Sequence, residues 1–222
     1  VKDMIQKTGL EVETFVHGAM CFAYSGRCLF SSLLGGRSGN RGRCAQPCRL
    51  PYSICGDDIS GKRGHLLSLK DMCALEFLPQ LVKAGIASFK IEGRMKGPEY
   101  TAGVVSIYRK YLDLCGQGTE NICVSEEDQR ILLDLYNRGG FSRGYYEGKT
   151  GLSMMAMERP NHYGTRAAQL LQEKSKRERN AASKGRCRAK ALEPLFRGDV
   201  LELRGASKDK LQEFTLGKDI RE

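Results

Sequence analysis

The chain has 222 residues, 41% of them hydrophobic and 28% charged, with 36 Lys and Arg against 26 Asp and Glu, a surplus of ten positive charges. This composition is that of a soluble globular protein rather than a disordered or fibrous one, and its length leaves room for one or two packed domains. No run of about 18 apolar residues is present, and the opening VKDMIQKTGLEVETF lacks the charged-then-apolar order of a secretory signal, so a cytoplasmic protein with no membrane span is expected, its basic surplus suited to a polyanion such as RNA.

In chain order, VKDMIQKTG reads as a helix and VETFVHG directly after it as a strand. The chain begins with Val, inside an alternating pattern, so a truncated N-terminus is expected. A Cys-rich, Gly-rich region follows over residues 21–55. DMCALEFLPQLVKAG then predicts a helix, because Leu75, Leu78, Leu81 and Val82 recur at helical spacing, with Asp71 capping its start and Gly85 its end. ASFKIEG predicts a short buried strand, and PEYTAGVVSIYRKYLDLC a helix with Pro98 in its first turn and Val104, Ile107, Tyr108 and Leu112 on one face. SEEDQRILLDLYNRG predicts another, opened by a capping box of Ser125 and Asp128. Alternation of strand and helix points to a parallel sheet and an α/β class.

Past residue 150 the texture changes. Residues 166–190 carry nine Lys or Arg against Glu173 and Glu178, a stretch that suits either an RNA contact or a solvated loop. LEPLFRGDVLELRG reads as hairpin-like β structure. The expected organisation is a larger α/β domain over 1–150 and a smaller β domain over 151–222.

The nine cysteines, at 21, 28, 44, 48, 55, 73, 115, 123 and 187, are an odd and high number for a reducing compartment, where disulfides rarely persist. Metal or redox chemistry is the leading explanation, with buried structural thiols the plain alternative. The spacing Cys21-x6-Cys28-x15-Cys44-x3-Cys48, followed by Cys55 and Cys73, lacks the paired CxxC knuckles of zinc sites. Thiolates gathered from separated loops suit an iron-sulfur cluster, and the intervening glycines let the backbone bend closely around it.

The run EVETFVHGAMCFAYSGRCLFSS resembles the signature E-x-F-x2-G-[SA]-[LIVM]-C-x4-G-x-C-x-[LIVM]-S of the collagenase-like peptidase family. Glu13, Phe15, Gly18, Ala19, Met20, Cys21, Gly26, Cys28 and Ser31 fit it, and only Phe30 departs, standing where an aliphatic residue is expected. The resemblance continues through RGRCAQPCRLPY, LLSLKDMCALEFLPQLVKAGIASFKIEGRMK and GLSMMAMERPNHYG, covering about residues 10–165.

That resemblance implies the C-terminal part of a (β/α) TIM-type barrel followed by a small β domain. It implies a 4Fe-4S cluster held by Cys21, Cys28, Cys44 and Cys73, with Cys48 the rival for the third position. Cys55, Cys115, Cys123 and Cys187 match nothing in the motif and are expected to be small buried hydrophobes. His17, directly before Gly18, is a candidate catalytic residue at the rim of a barrel strand, or a satisfied structural histidine. Lys90, Glu92 and Arg94 alternate at a strand end, and are expected either to face one barrel mouth and hold an anionic substrate or carboxylate-bearing co-substrate, or to close the barrel as an internal ion-pair network.

The function implied is hydroxylation of bases in tRNA or rRNA. Two alternatives stand beside it: the peptidase of the family name, for which no Ser/His/Asp set or HExxH motif is visible, and an RNA-binding module with a structural metal.

Overall fold

The computed structural model describes residues 1–24, 26–54, 63–118, 122–148, 150–171, 188–205 and 210–220. Cys55, Cys187 and most of the basic run in 166–190 lie outside the described residues. Two compact units are formed, Val1–Gly164 and Thr165–Glu222.

The first unit is built on a four-stranded sheet of order β5-β1-β4-β6, comprising β1 (Glu13–Gly18), β4 (Asp71–Cys73), β5 (Ser88–Ile91) and β6 (Phe141–Ser142). β1 and β5 run parallel, as do β4 and β6, while β1 and β4 are antiparallel. The sheet is therefore mixed α/β in kind, and among the described residues it does not close into a barrel. The reason lies in the excursion between β1 and β4. The chain leaves the end of β1 at Gly18, runs through the Cys-rich lobe, and returns beside the same end, where Gly18 pairs with Met72, so β4 must run back along β1.

Helices cover this sheet. α1 (Lys2–Thr8) closes at Gly9 in the left-handed region, whose N–H donates to the Ile5 carbonyl. α4 (Pro98–Gly116) starts on Pro98 as the sequence predicts, and buries Tyr100, Val104, Ile107, Tyr108 and Tyr111. α5 (Glu126–Leu135) starts on its predicted cap: the Ser125 hydroxyl accepts from the Asp128 N–H. The two helices meet where Gly103 faces Leu135. A Cβ at Gly103 would stand 2.6 Å from the tip of the Leu135 side chain, which would have to turn aside to admit it.

The predicted helix over 71–85 is only partly one. Asp71–Cys73 is β4, Leu75–Phe77 is a 3-10 turn, and α3 covers Leu78–Lys83, closed by Gly85 at φ +82. Asp71 does not cap a helix, because its backbone pairs with Phe141 and its carboxylate is taken by Arg138. The periodic leucines keep their predicted burial: Leu75, Leu78 and Leu81 join Val16, Ala74, Val104 and Leu132 in the core. Of the unassigned cysteines, Cys115 is half-buried and Cys123 exposed, so neither is the fully buried hydrophobe expected.

The lobe between β1 and β4 contains α2 (Phe30–Gly35) and a small ladder of β2 (Tyr52–Ser53) with β3 (Arg63–Gly64). In the second unit, β7 (Ala168–Leu170) pairs antiparallel with β8 (Ala189–Ala191), and β9 (Val200–Arg204) with β10 (Lys210–Thr215). β9 is the VLELR of the predicted hairpin, but its partner is β10, while Leu195 bridges to Ile220. No described helix is long and apolar enough to cross a membrane.

Candidate thiol centre and the buried face beside it

The lobe has little regular structure, and specific hydrogen bonds hold it. Ser31 Oγ accepts from the Ala45 N–H at 2.9 Å, and Arg37 Nε donates to the Arg43 carbonyl at 3.1 Å. Arg49 ties the lobe to the sheet: Nη2 donates to the Met20 carbonyl at 3.0 Å, and Nη1 to Ser68 Oγ at 2.8 Å and to the Leu69 carbonyl at 2.5 Å. One guanidinium thus joins the exit from β1 to the entry into β4. Its fixed fork of donors suits three acceptors on separate segments.

Arg49 also sets Cys48. Burial pushes the Cys48 thiol up, the Arg49 charge beside it pulls it down, and the thiols of Cys21, Cys44 and Cys28 push it up again. Cys48 thus senses three other thiols of the same lobe. Cys21 and Cys44 are exposed, and Cys28 and Cys48 half-buried. Gln46, non-glycine yet left-handed at φ 56, aims its N–H at Cys44 Sγ, 3.2 Å away.

Cys73 is the last residue of β4. It pairs with His17 across β1 and β4, and its sulfur is 3.7 Å from the Tyr108 hydroxyl. Burial raises this thiol, which keeps it protonated.

Among the described residues, no three His, Cys, Asp or Glu side chains converge closely enough to hold a single metal ion. A cluster of several irons is a wider body than one ion, so its ligands stand further apart. The all-thiol donor set that Cys21, Cys28, Cys44 and Cys48 bring to one lobe is of the kind an iron-sulfur cluster takes.

Next to the lobe, one face of the sheet carries polar groups with few partners. His17 is 1% exposed, ringed by Tyr100, Tyr108 and Phe141 with ring centroids 5.3–6.1 Å away. Burial pushes its pKa down to about 4, so the ring is neutral. Its tautomer follows from Tyr108. The Tyr108 hydroxyl donates its one proton to the Val16 carbonyl at 2.8 Å and accepts from the Ala74 N–H, so His17 Nδ1, 3.3 Å away, must carry hydrogen and donate. Nε2 is left as a buried acceptor without a partner.

Asp71, 2% exposed, shows the same feature. Its Oδ1 accepts from Arg138 Nη1 at 2.5 Å, and Oδ2 has no partner. Burial raises this carboxyl, against the pull of Arg138, Lys96 and Arg49. Three cations thus surround one carboxylate. Burial and the two arginines hold Lys96 down to about 8, and its ammonium lies over the Tyr136 ring, on which His162 stacks at 5.1 Å. Arg49 belongs to both groups, felt by Asp71 and by Cys48.

Among the described residues Lys90, Glu92 and Arg94 do not form one side-chain network. Lys90 Nζ bonds Glu13 at 2.8 Å on an exposed surface, Glu92 accepts from the Arg94 backbone N–H, and Arg94 Nη1 donates to the Gly42 carbonyl at 2.9 Å. Arg94 is thus a second tie to the lobe. Gly18 is what allows β1 and the Glu92 segment to approach, since a Cβ there would stand 2.4 Å from the Glu92 carbonyl oxygen. Sequence reasoning missed Arg49, Lys96, Asp71, Tyr136 and Arg138; lying in unrelated segments, they carry no common spacing.

The fold and site together define a mixed α/β protein with a four-thiol lobe set against a buried polar face. A family model, peptidase family U32, matches residues 1–156, and the chain belongs to that family. It is 38% identical over 159 residues to the tRNA hydroxylation protein P1 of Bacillus subtilis, covering 68% of this chain and 37% of that protein. It is 44% identical over 115 residues to the 23S rRNA 5-hydroxycytidine C2501 synthase of Escherichia coli, covering 51% and 18%. A collagenase of Porphyromonas gingivalis is 36% identical over 143 residues, covering 63% and 39%. The chain therefore spans between about a fifth and two fifths of the length of these relatives. No solved structure matches it.

Proposed function

We propose that this chain is the cluster-bearing part of an enzyme that hydroxylates bases of tRNA or rRNA in the cytoplasm, with a 4Fe-4S cluster held by Cys21, Cys28, Cys44 and Cys48. The observation that carries the reading is geometric: Cys21, Cys28, Cys44 and Cys48 share the lobe that Arg49 ties to the sheet, while Cys73 stands in β4 against the Tyr108 hydroxyl. It favours Cys48 over Cys73 as the remaining ligand. Relatives named for tRNA and rRNA hydroxylation supply the reaction class. The open sheet is, on this reading, part of a (β/α) barrel whose other strands complete the site.

The cluster, when bound, supplies one-electron chemistry. The protein's own residues do the rest. Arg49 holds Cys48 in place and links it to the Asp71 group. Lys96, Arg49 and Arg138 offer more positive charge than Asp71 balances, so they hold an anionic co-substrate, the role Lys90, Glu92 and Arg94 were expected to fill. His17, neutral with Nε2 an acceptor, orients a donor group of the substrate in a site that Tyr100, Tyr108 and Phe141 keep dry.

The collagenase-named relatives support a peptidase as the second reading. Its weak point is the nucleophile. Cys73 is the thiol nearest His17 in register, yet burial holds it protonated, and Nδ1 of His17 faces Tyr108.

Iron and sulfide analysis with an absorption spectrum, on protein purified without air, tests the cluster. Cys21→Ala and Cys48→Ala are expected to abolish iron and the absorption at about 400 nm, and Cys73→Ala to keep both. Mass spectrometry of RNA nucleosides from cells lacking the relative, with and without this protein, tests the reaction. A colourless, folded protein that cleaves gelatin would reverse the assignment.

A further inference from the structure

Between Glu13 and Asp57 the sequence contains no acidic residue at all, while Arg27, Arg37, Arg41, Arg43 and Arg49 all fall there. Arg49 is taken up in the lobe's own hydrogen bonds. The other four are exposed, none has an ion pair among the described residues, and of their guanidiniums only Arg37 shows a hydrogen bond, from Nε to the Arg43 carbonyl. Aromatic rings are interleaved with them: Tyr24 is 86% exposed and Phe22 47%. Leu33 on α2 is 80% exposed. These side chains share one lobe with the exposed Cys21 and Cys44, held as a unit by the Ser31, Arg37 and Arg94 bonds.

Exposed aromatic rings on the same lobe as exposed guanidiniums without ion pairs have the chemistry of a surface that reads single strands. Phosphates take the arginines, and unstacked bases lie on the rings. A duplex turns its base faces inward and would leave those rings without a partner. We infer that this acid-free lobe docks a single-stranded segment of RNA, its phosphates on Arg27, Arg37, Arg41 and Arg43 and its bases against Phe22 and Tyr24. The inference rests on the RNA reading above and deepens it. It places the RNA beside the thiols rather than on the basic run of 166–190, and makes the substrate an unpaired loop.

Fluorescence anisotropy tests this on the whole chain, purified without air, with a labelled single-stranded RNA, the same sequence as a duplex, and unfractionated tRNA over a series of salt concentrations. The expected result is preference for the single strand. Arg27→Gln, Arg37→Gln, Arg41→Gln and Arg43→Gln together should lower the slope of log K against log salt by roughly 3, at about 0.7 per phosphate contact. Tyr24→Ala should weaken the single strand about tenfold and the duplex hardly at all. Melting curves and iron content on each variant establish that fold and thiol centre are intact. If the four-arginine variant binds as wild type does, while Lys174→Gln, Lys176→Gln, Arg177→Gln and Arg179→Gln together lose binding, the RNA reading stands and this inference is overturned. If wild type binds no RNA but binds a small acidic flavodoxin-type carrier through the same arginines, both fall, and the lobe is a docking face for an electron donor.

Discussion

The sheet with its helices and the Cys-rich lobe are held together by different physics, although they meet at Gly18. In the first, Val16, Leu75, Leu78, Val104 and Leu132 are all but completely buried, and apolar burial is the dominant force. In the second, Ser31 is fully buried while Phe22, Tyr24, Leu29, Leu33 and Leu34 face outward, and the chain is held by side-chain to backbone bonds from Ser31, Arg37, Arg49 and Arg94. A region that buries so little has its shape set by partners. The lesson is that the core positions the site, and the lobe presents it.

The contrast can be broken most severely at the junction. Arg138→Met leaves Asp71 buried with both oxygens poorly paired, and should cost about 3–5 kcal/mol in a denaturant titration; a loss under about 1 kcal/mol would mean that Asp71 is already protonated and needs no partner.

The next largest effect is one of pH. His17 is held at about 4 when folded, against 6.5 as an unperturbed histidine, so the unfolded chain takes up a proton that the folded one refuses. Its contribution to stability is fully present above pH 6.5, declines as the pH falls towards 4, and amounts at most to about 3 kcal/mol. The pH dependence of unfolding should flatten in this window in His17→Gln, and an unchanged curve would place the proton uptake elsewhere.

Smaller still is the cap of α5. Ser125→Ala removes the acceptor for the Asp128 N–H and should lower stability by about 1 kcal/mol. Thermal melting of this variant beside Ser125→Asp, which keeps an acceptor, separates the cap from the loss of the Ser125 bond to the Asp128 carboxylate.

The smallest effect belongs to the lobe surface. Arg27→Gln and Leu33→Ser should each change stability by less than about 0.5 kcal/mol, in contrast to Leu78→Ala in the core at about 2–5 kcal/mol. Comparable losses from both regions, measured by the same denaturant titration, would erase the distinction drawn between them.

Much of this was legible beforehand, and for local reasons. α4 begins at Pro98 and α5 at the Ser125 cap because those signals act within one turn of chain. The leucines at 75, 78 and 81 were identified as core residues although half of their predicted helix became β4 and a 3-10 turn, since burial follows apolarity even where hydrogen bonding takes another route. The motif from Glu13 to Ser31 identified the family from its own residues. Lys90, Glu92 and Arg94 show the limit: alternation places side chains on one face, but whether that face meets solvent or a site depends on what packs against it.

The sequence by itself determined the α/β character, the chief helix starts and the family, because each is written in adjacent residues. Only the tertiary structure decided that β4 runs back along β1, that Cys73 stands in β4 against the Tyr108 hydroxyl, and that Arg138 takes the Asp71 carboxylate. Those contacts join residues tens of positions apart, brought together by the return of the chain to the end of β1, and no periodicity records such a return.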